Sequence, residues 1–407
     1  MSTGEYRSIL LGRPDFRRLF LARLISFGGD WFLLVPLLGL VYEATGSAFS
    51  TGWVMVANSL PGLFLSPFAG SLADRFDRRR LMLGANLVAG TTVLVLSLLG
   101  DRLTPAGGLL GIALVAASVS VVNPSASGGL PNLVSRAELS AANVLMGSSW
   151  GTMAAVGAAL GGVVAAAFSR PVAFAIDAAT FFVGAILVAR IRTPLAEEAP
   201  AGRASMLSSV REGLAYAWRR PQVRALLTSK AGFAVVASGP ITLLAVASVE
   251  LFGRGDDGTG FLFAARGLGA LIGPFLARRW FGSSDGRLLG VIGIAISLWG
   301  VGYAGFSWAD SLWVGALFVV VGHLGGGSQW ALSSYGLQAL VPDHIRGRVV
   351  GLDFAAMTFV MAIVQPAVGA IADRVPLRPL ILALALLGIL FGIAWKRATD
   401  HLWEGLD

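Results

Sequence analysis

The sequence predicts an all-α membrane protein with twelve transmembrane helices in two six-helix bundles. Three observations predict it. Hydrophobic residues make up 55% of the 407 positions and charged residues only 13%, with a mean hydropathy of +0.74. A soluble domain carries about 25% charged residues. The apolar residues fall in long continuous runs rather than the ~10-residue alternating segments of a β-barrel. Finally, the basic residues sit in the short gaps between runs, where orientation signals lie.

A bilayer crossing takes roughly 20 apolar residues. On that measure the spans fall at 19–42, 50–73, 80–100, 106–127, 143–168, 171–190, 225–250, 259–278, 286–306, 311–337, 349–372 and 376–396. The first follows Arg7, Arg13, Arg17 and Arg18 and has no small-residue cleavage exit, so it is expected to stay in the membrane. The second and third flank a charged loop, Asp74-Arg75-Phe-Asp77-Arg78-Arg79-Arg80. The fifth is rich in small residues, with Gly157 and Gly161 at the GxxxG spacing of close helix packing and Gly162 beside them. With the N-terminus inside, twenty-five basic residues fall on the inner side and five on the outer, with Arg266 inside a span. Both termini are therefore expected on the cytoplasmic side.

The only long polar stretch, 191–224, divides the chain into an N-terminal bundle (1–190) and a C-terminal bundle (225–407). It begins as a flexible linker with Pro194, Pro200 and Gly202. Its second part places Leu207, Val210, Leu214 and Ala217/Trp218 on one face, as an amphipathic helix on the inner leaflet would, or it is a plain orienting loop. The halves echo each other at an offset of about 207: Pro131-Asn-Leu-Val134 matches Gln338-Ala-Leu-Val341, and Gly161-Gly162 matches Gly369-Ala370 beside Pro366. Parallel six-helix repeats are a transporter architecture.

Several chemistries are excluded. There are no cysteines, and His323, His344 and His401 lack metal-ligand spacing. Neither an HExxH zinc motif nor a GxxxxGK[ST] phosphate loop is present, so no cofactor, metal or ATP hydrolysis is expected. Gly147-Ser148-Ser149-Trp150-Gly151 matches G-x-S-x-G but opens an apolar helix instead of a strand-turn-helix, a chance match. The distribution of basic residues is not a nucleic-acid footprint.

The loop Gly70-Ser-Leu-Ala-Asp74-Arg75-Phe-Asp77-Arg78-Arg79-Arg80 resembles the signature between helices 2 and 3 of the major facilitator superfamily. Ser26-Phe-Gly-Gly-Asp30-Trp31, Arg211-Glu-Gly-Leu-Ala-Tyr216, Ala264-Ala-Arg266-Gly-Leu-Gly269 and Val341-Pro-Asp343 with Arg346-Gly-Arg348 extend the likeness over almost the whole chain. It is closest to the bacterial branch that holds the enterobactin exporter and related macrolide and drug efflux proteins. The resemblance implies a proton-coupled exporter of an amphipathic small molecule (a siderophore, drug or lipid-like metabolite). It implies alternating access, as a lipid-embedded monomer in the bacterial inner membrane. A facilitator or importer is the alternative, and a non-transporting sensor a more distant one. One departure stands out: the Gly-Pro-x-x-Gly-Gly element of antiporters here has Ala158 in place of the proline.

Candidate functional residues follow. Asp30, about eleven residues into the first span, lies roughly 16 Å deep and is a candidate for proton coupling or substrate contact, or else makes a structural hydrogen bond to helix 5 or 7, with Gly28 and Gly29 before it allowing close approach or a bend. Arg266 either pairs with an acid such as Glu250 or attracts an anionic substrate, and His323 is a titratable or packing residue. Asp177 reads as a structural hydrogen-bonding group. The resemblance places Trp31, Asn58, Asn123, Gln329 and Trp330 on the cavity wall. It also implies an inner-face latch of Gly70, Asp74, Arg75, Asp77, Arg78 and Arg79, closing on helix 11, where Asp353 is either a partner for the arginines or an N-terminal acid.

Overall fold

The structure, a computed structural model, describes residues 3–136, 138–195, 206–282 and 284–404. Among them twelve helical segments are long and apolar enough to cross a membrane. A short α1 (Thr3–Gly12) runs into α2 (Pro14–Thr45), with Arg13 N donating to Ile9 O. The first span therefore starts at Pro14 rather than 19, because a proline at the first helical position gives up only an N–H that has no helical partner.

The N-terminal spans continue with α3 (Ala48–Arg75), α4 (Arg78–Leu99), α5 (Pro105–Gly129), α6 (Leu139–Ala167) and α7 (Arg170–Ala189). Side chains cap three of them: Asp77 accepts from Arg80 N at 2.8 Å, Thr104 from Gly107 N at 3.2 Å, and Ser169 from Val172 N at 3.3 Å. The amphipathic α8 (Met206–Arg219) leads into α9 (Pro221–Glu250) and α10 (Asp256–Phe281). The ninth expected span is broken at Val291 into α11 (Asp285–Gly290) and α12 (Ile292–Ser307). Then come α13 (Leu312–Leu340), α14 (Asp343–Ala372) and α15 (Leu377–Thr399). Helix α14 begins right after Pro342, six residues before the expected 349.

The chain forms two compact units. One comprises Met1–Thr45, Ala57–Gly202 and Gly255–Gly260; the other comprises Gly46–Val56, Arg203–Arg254 and Phe261–Asp407. In the first, α2 packs on α6 and α7, and α4 on α5 and α7. The α2–α6 crossing is close because Gly157 and Gly161 carry no side chain. A Cβ on either would lie 2.7 Å from a backbone oxygen, of Gly28 and Trp31 respectively. In the second unit, α12 packs on α13 and α15, and α9 on α13, α14 and α15. Its centre is aromatic, with Trp299 and Tyr303 rings 4.5 Å apart and both fully buried.

Leu98 is 77% and Phe168 74% exposed, as lipid-facing residues of a membrane bundle should be. In α8, Ala217 is buried while Leu214 and Trp218 are exposed, and Arg348 of α14 pairs with Glu212.

Candidate functional site

Each unit holds its own set of charges inside its spans. In the first, α2, α5 and α7 supply Arg23, Asp30, Asn123, Asp177 and Thr180. Asp30 is sixteen residues into the 32-residue α2, about 24 Å from its start and close to its middle. Its Oδ1 is buried with no hydrogen-bond partner among the described residues. Asp177 is fully buried; Thr180 Oγ1 donates to its Oδ1 at 3.2 Å, while its Oδ2 has no partner.

Gly29 lets the two helices meet here. A Cβ at that position would lie 2.5 Å from Asp177 Oδ1 and closer still to Thr180 Oγ1. Asp30 lies within electrostatic reach of both Asp177 and Arg23. The Arg23 guanidinium in turn donates to Asn123 Oδ1 and sits 4.2 Å from the Phe27 ring centroid. The cluster thus gathers two carboxylates and one guanidinium, with Arg23 buried inside the bundle and Asp177 hydrogen-bonded to Thr180.

The loop predicted as a latch is tied down within the same unit. Arg78 Nη1 donates to Gly128 O at 2.6 Å and Leu195 O at 2.8 Å, and Arg79 Nη1 to Ile191 O at 2.9 Å. Asp77 caps α4, and Arg75 is exposed. Gly70 and Asp74 fall in a stretch of α3 whose side-chain surroundings lie outside the described residues. At the far end of the unit, Arg170 forks onto Glu43 at 2.7 and 2.8 Å and onto Asp256 at 2.8 and 3.2 Å. Beside it, Gly162 gives room to the first turn of α10, the backbone of Asp256 and Gly260 lying within 3 Å of where a Cβ would stand.

The second unit corrects the expectation for Asp353. It does not open a helix: it lies ten residues into α14 and pairs with Lys230 of α9 at 2.5 Å, both side chains being 2% exposed. Lys230 Nζ also donates to Ser334 Oγ at 3.0 Å and lies 4.9 Å from the Trp330 ring centroid and 5.8 Å from that of Phe354. Those rings meet edge to face at 5.8 Å and are 40% and 49% exposed. Asp353 Oδ1 is buried without a donor among the described residues. Lys230 is therefore a buried charge inside a candidate span rather than in an inner loop.

A separate group in this unit surrounds Arg266. Its Nε is buried without a partner among the described residues, its guanidinium lies 5.9 Å from the Phe263 ring, and its charge faces Tyr303 and His323. The buried His323 Nε2 and Tyr303 OH share a hydrogen bond at 3.1 Å. Of the expected cavity residues, Asn58, Asn123 and Trp330 are exposed. Trp31 is 8% exposed and packs at Gly157, and Gln329 is buried, its Nε2 donating to Ser229 Oγ at 3.4 Å. Pro366 faces Gly52, where a Cβ would lie 2.9 Å from the proline Cα. No group of His, Asp and Glu among the described residues has the arrangement of a metal site.

Twelve spans in this order, with charged groups held inside them, define a multi-pass membrane transporter of the major facilitator fold. The chain belongs to the transmembrane secretion effector family of that superfamily, whose model it matches over residues 10–401. It is 27% identical over 405 residues to the MFS-type transporter YfiS of Bacillus subtilis (strain 168), covering 94% of each chain. It is 25% identical over 394 residues to the multidrug efflux pump Tap of Mycolicibacterium fortuitum, covering 92% of this chain and 93% of that protein. Among solved structures, a bacterial homolog of the human lysosomal transporter Spinster, inward-facing and unoccupied, superposes with a TM-score of 0.73 at 14% identity, over 99% of this chain and 98% of that one. The family and these relatives are transporters rather than enzymes, so the chain handles a small-molecule substrate within a membrane.

Proposed function

We propose that this transporter is a proton-linked exporter of amphipathic organic molecules, such as a siderophore, drug or lipid-like metabolite. It works by alternating access as a monomer in the bacterial inner membrane, with both termini cytoplasmic. The observation that carries this reading is the cluster of Asp30, Asp177 and Arg23. With all three ionised the cluster has a net charge of −1 inside the bilayer, and one added proton makes it neutral. A carboxylate held at such depth is costly unless it has a function. Asp30 is the proton-carrying residue in this reading, and Asp177 and Arg23 set its electrostatic surroundings.

Arg266 and His323 form the polar group of the C-terminal half and contact substrate or proton. The arginine loop with Asp74 sets the closed inner face. Likeness to a multidrug efflux pump supports export over import, and the excess of basic residues on one side supports the orientation.

The test is efflux of ethidium from drug-sensitive bacterial cells expressing the protein. Expected are lower accumulation than in vector controls, abolition of that difference by a protonophore, and no difference with Asp30→Asn expressed at the same level. Equal efflux with protonophore present would exclude proton coupling.

A further inference from the structure

The Lys230–Asp353 pair has one unused donor and one unused acceptor. The Lys230 ammonium carries three N–H groups. One goes to Asp353 Oδ2 and one to Ser334 Oγ, which leaves the third for the side where the rings of Trp330 and Phe354 lie. On Asp353, Oδ2 is taken and Oδ1 is buried without a donor among the described residues. An unmade hydrogen bond on a buried carboxylate is costly, so Asp353 Oδ1 is able to take a donor from a ligand. The two rings over the pair are 40% and 49% exposed, which gives the buried charges an accessible apolar rim.

Charge counting selects the partner. The pair is neutral as it stands. A cationic amine at Asp353 Oδ1 would put a second positive charge beside Lys230, and a lone carboxylate on Lys230 would put a second negative charge beside Asp353. A molecule that carries an ammonium next to a carboxylate does neither. Its ammonium donates to Asp353 Oδ1, its carboxylate accepts the free N–H of Lys230, and four alternating charges sum to zero.

We propose that the Lys230–Asp353 pair is a recognition site for zwitterions, taking substrates in which an ammonium and a carboxylate stand on one carbon and an apolar group extends toward Trp330 and Phe354. This deepens the exporter reading by naming a substrate class, and it rests on that reading for its role in transport. The zwitterion binds through its two charges, and Trp330 and Phe354 supply cation–π and stacking contact to what is attached.

The test uses the purified full-length protein in nanodiscs at fixed neutral pH with no gradient, so it does not depend on proton coupling. Binding is measured by calorimetry for three compounds of one shape: L-phenylalanine (both charges), phenethylamine (ammonium only) and 3-phenylpropionate (carboxylate only). L-phenylalanine is expected to bind about tenfold or more tighter than either analogue, since each of those leaves one buried charge unmatched. The double variant Lys230→Met/Asp353→Leu, which removes both charges together and so keeps the fold, is expected to lose that preference. Equal binding of the three, tighter binding of either analogue, no binding of any, or an unchanged preference in the double variant each overturns the proposal. Loss of proton movement in Asp30→Asn protein that still prefers L-phenylalanine would leave the zwitterion site standing, whereas failure of the site would leave proton-linked export untouched.

Discussion

Replacing Gly29 by alanine tests the meeting of α2 and α7 at the carboxylate cluster. The new Cβ would lie 2.5 Å from Asp177 Oδ1 and nearer still to Thr180 Oγ1, against an ordinary contact of 3.4–4 Å. The overlap is about 1 Å and falls on two polar atoms whose positions are linked, because Thr180 donates to Asp177. The helices must part or the Asp177–Thr180 bond must turn away. Overpacking of this kind costs about 1–3 kcal/mol.

The neighbouring Gly28 is an internal control, since a Cβ there meets only Met153 Sδ at 3.2 Å and that flexible side chain can swing away. Equilibrium unfolding in mixed micelles should show Gly29→Ala less stable than wild type by about 1–3 kcal/mol and Gly28→Ala close to wild type. Proton uptake by purified Gly29→Ala protein should also move, since Asp177 is displaced relative to Asp30. Equal stability of the two variants, or an unchanged proton titration in Gly29→Ala, would refute the reasoning.

Other perturbations have equally definite outcomes. Lys230→Met alone strands the buried Asp353 and is expected to cost about 3–5 kcal/mol in the same unfolding assay, whereas Lys230→Met/Asp353→Leu should fall near wild type or above it. Arg170→Ala leaves Asp256, which is 6% exposed, without its cation, and should destabilise by a similar amount, more than Glu43→Ala, whose carboxylate is 52% exposed. Asp373→Ala removes the acceptor of Ala48 N at 2.6 Å and Ser47 Oγ at 2.7 Å and should cost about 1 kcal/mol, the value of a lost helix cap. Glu138 accepts from Ser135 N and Oγ and from Arg13, and these bonds hold its carboxyl down to about 2. Its folded value lies below its unfolded one, so its stabilising contribution is present above about pH 4.5 and is lost as pH falls toward 2. Stability measured against pH should lose that component in Glu138→Gln.

The spans were readable because membrane helices announce themselves by length and apolarity, and Asp30 stood out as an acid inside such a run. The pairings were less so. Helices α9 and α14 both start just at or after a proline, Pro221 and Pro342, a start signal that places each helix four to six residues earlier than apolarity alone suggests. That shift is about one turn or more, enough to carry Lys230 and Asp353 from the inner boundary into the bundle. Their meeting depends on two helices 123 positions apart in the chain, which no local periodicity reports. Arg23 stands near the start of the first apolar run, and nothing local in the sequence shows that it is buried and donates to Asn123. Gly28 and Gly29 allow close approach or a bend beside Asp30, and nothing in the sequence names Asp177 as the group that approaches.

The most direct measurement of proton-linked export is proton movement in proteoliposomes carrying wild type or Asp30→Asn, under an imposed pH gradient, with a small panel of siderophores and cationic drugs. The expected result is that at least one compound releases protons through the wild type and none does through the variant. Substrate flux without proton movement, or proton release undiminished in Asp30→Asn, would contradict it and leave Asp30 a structural residue.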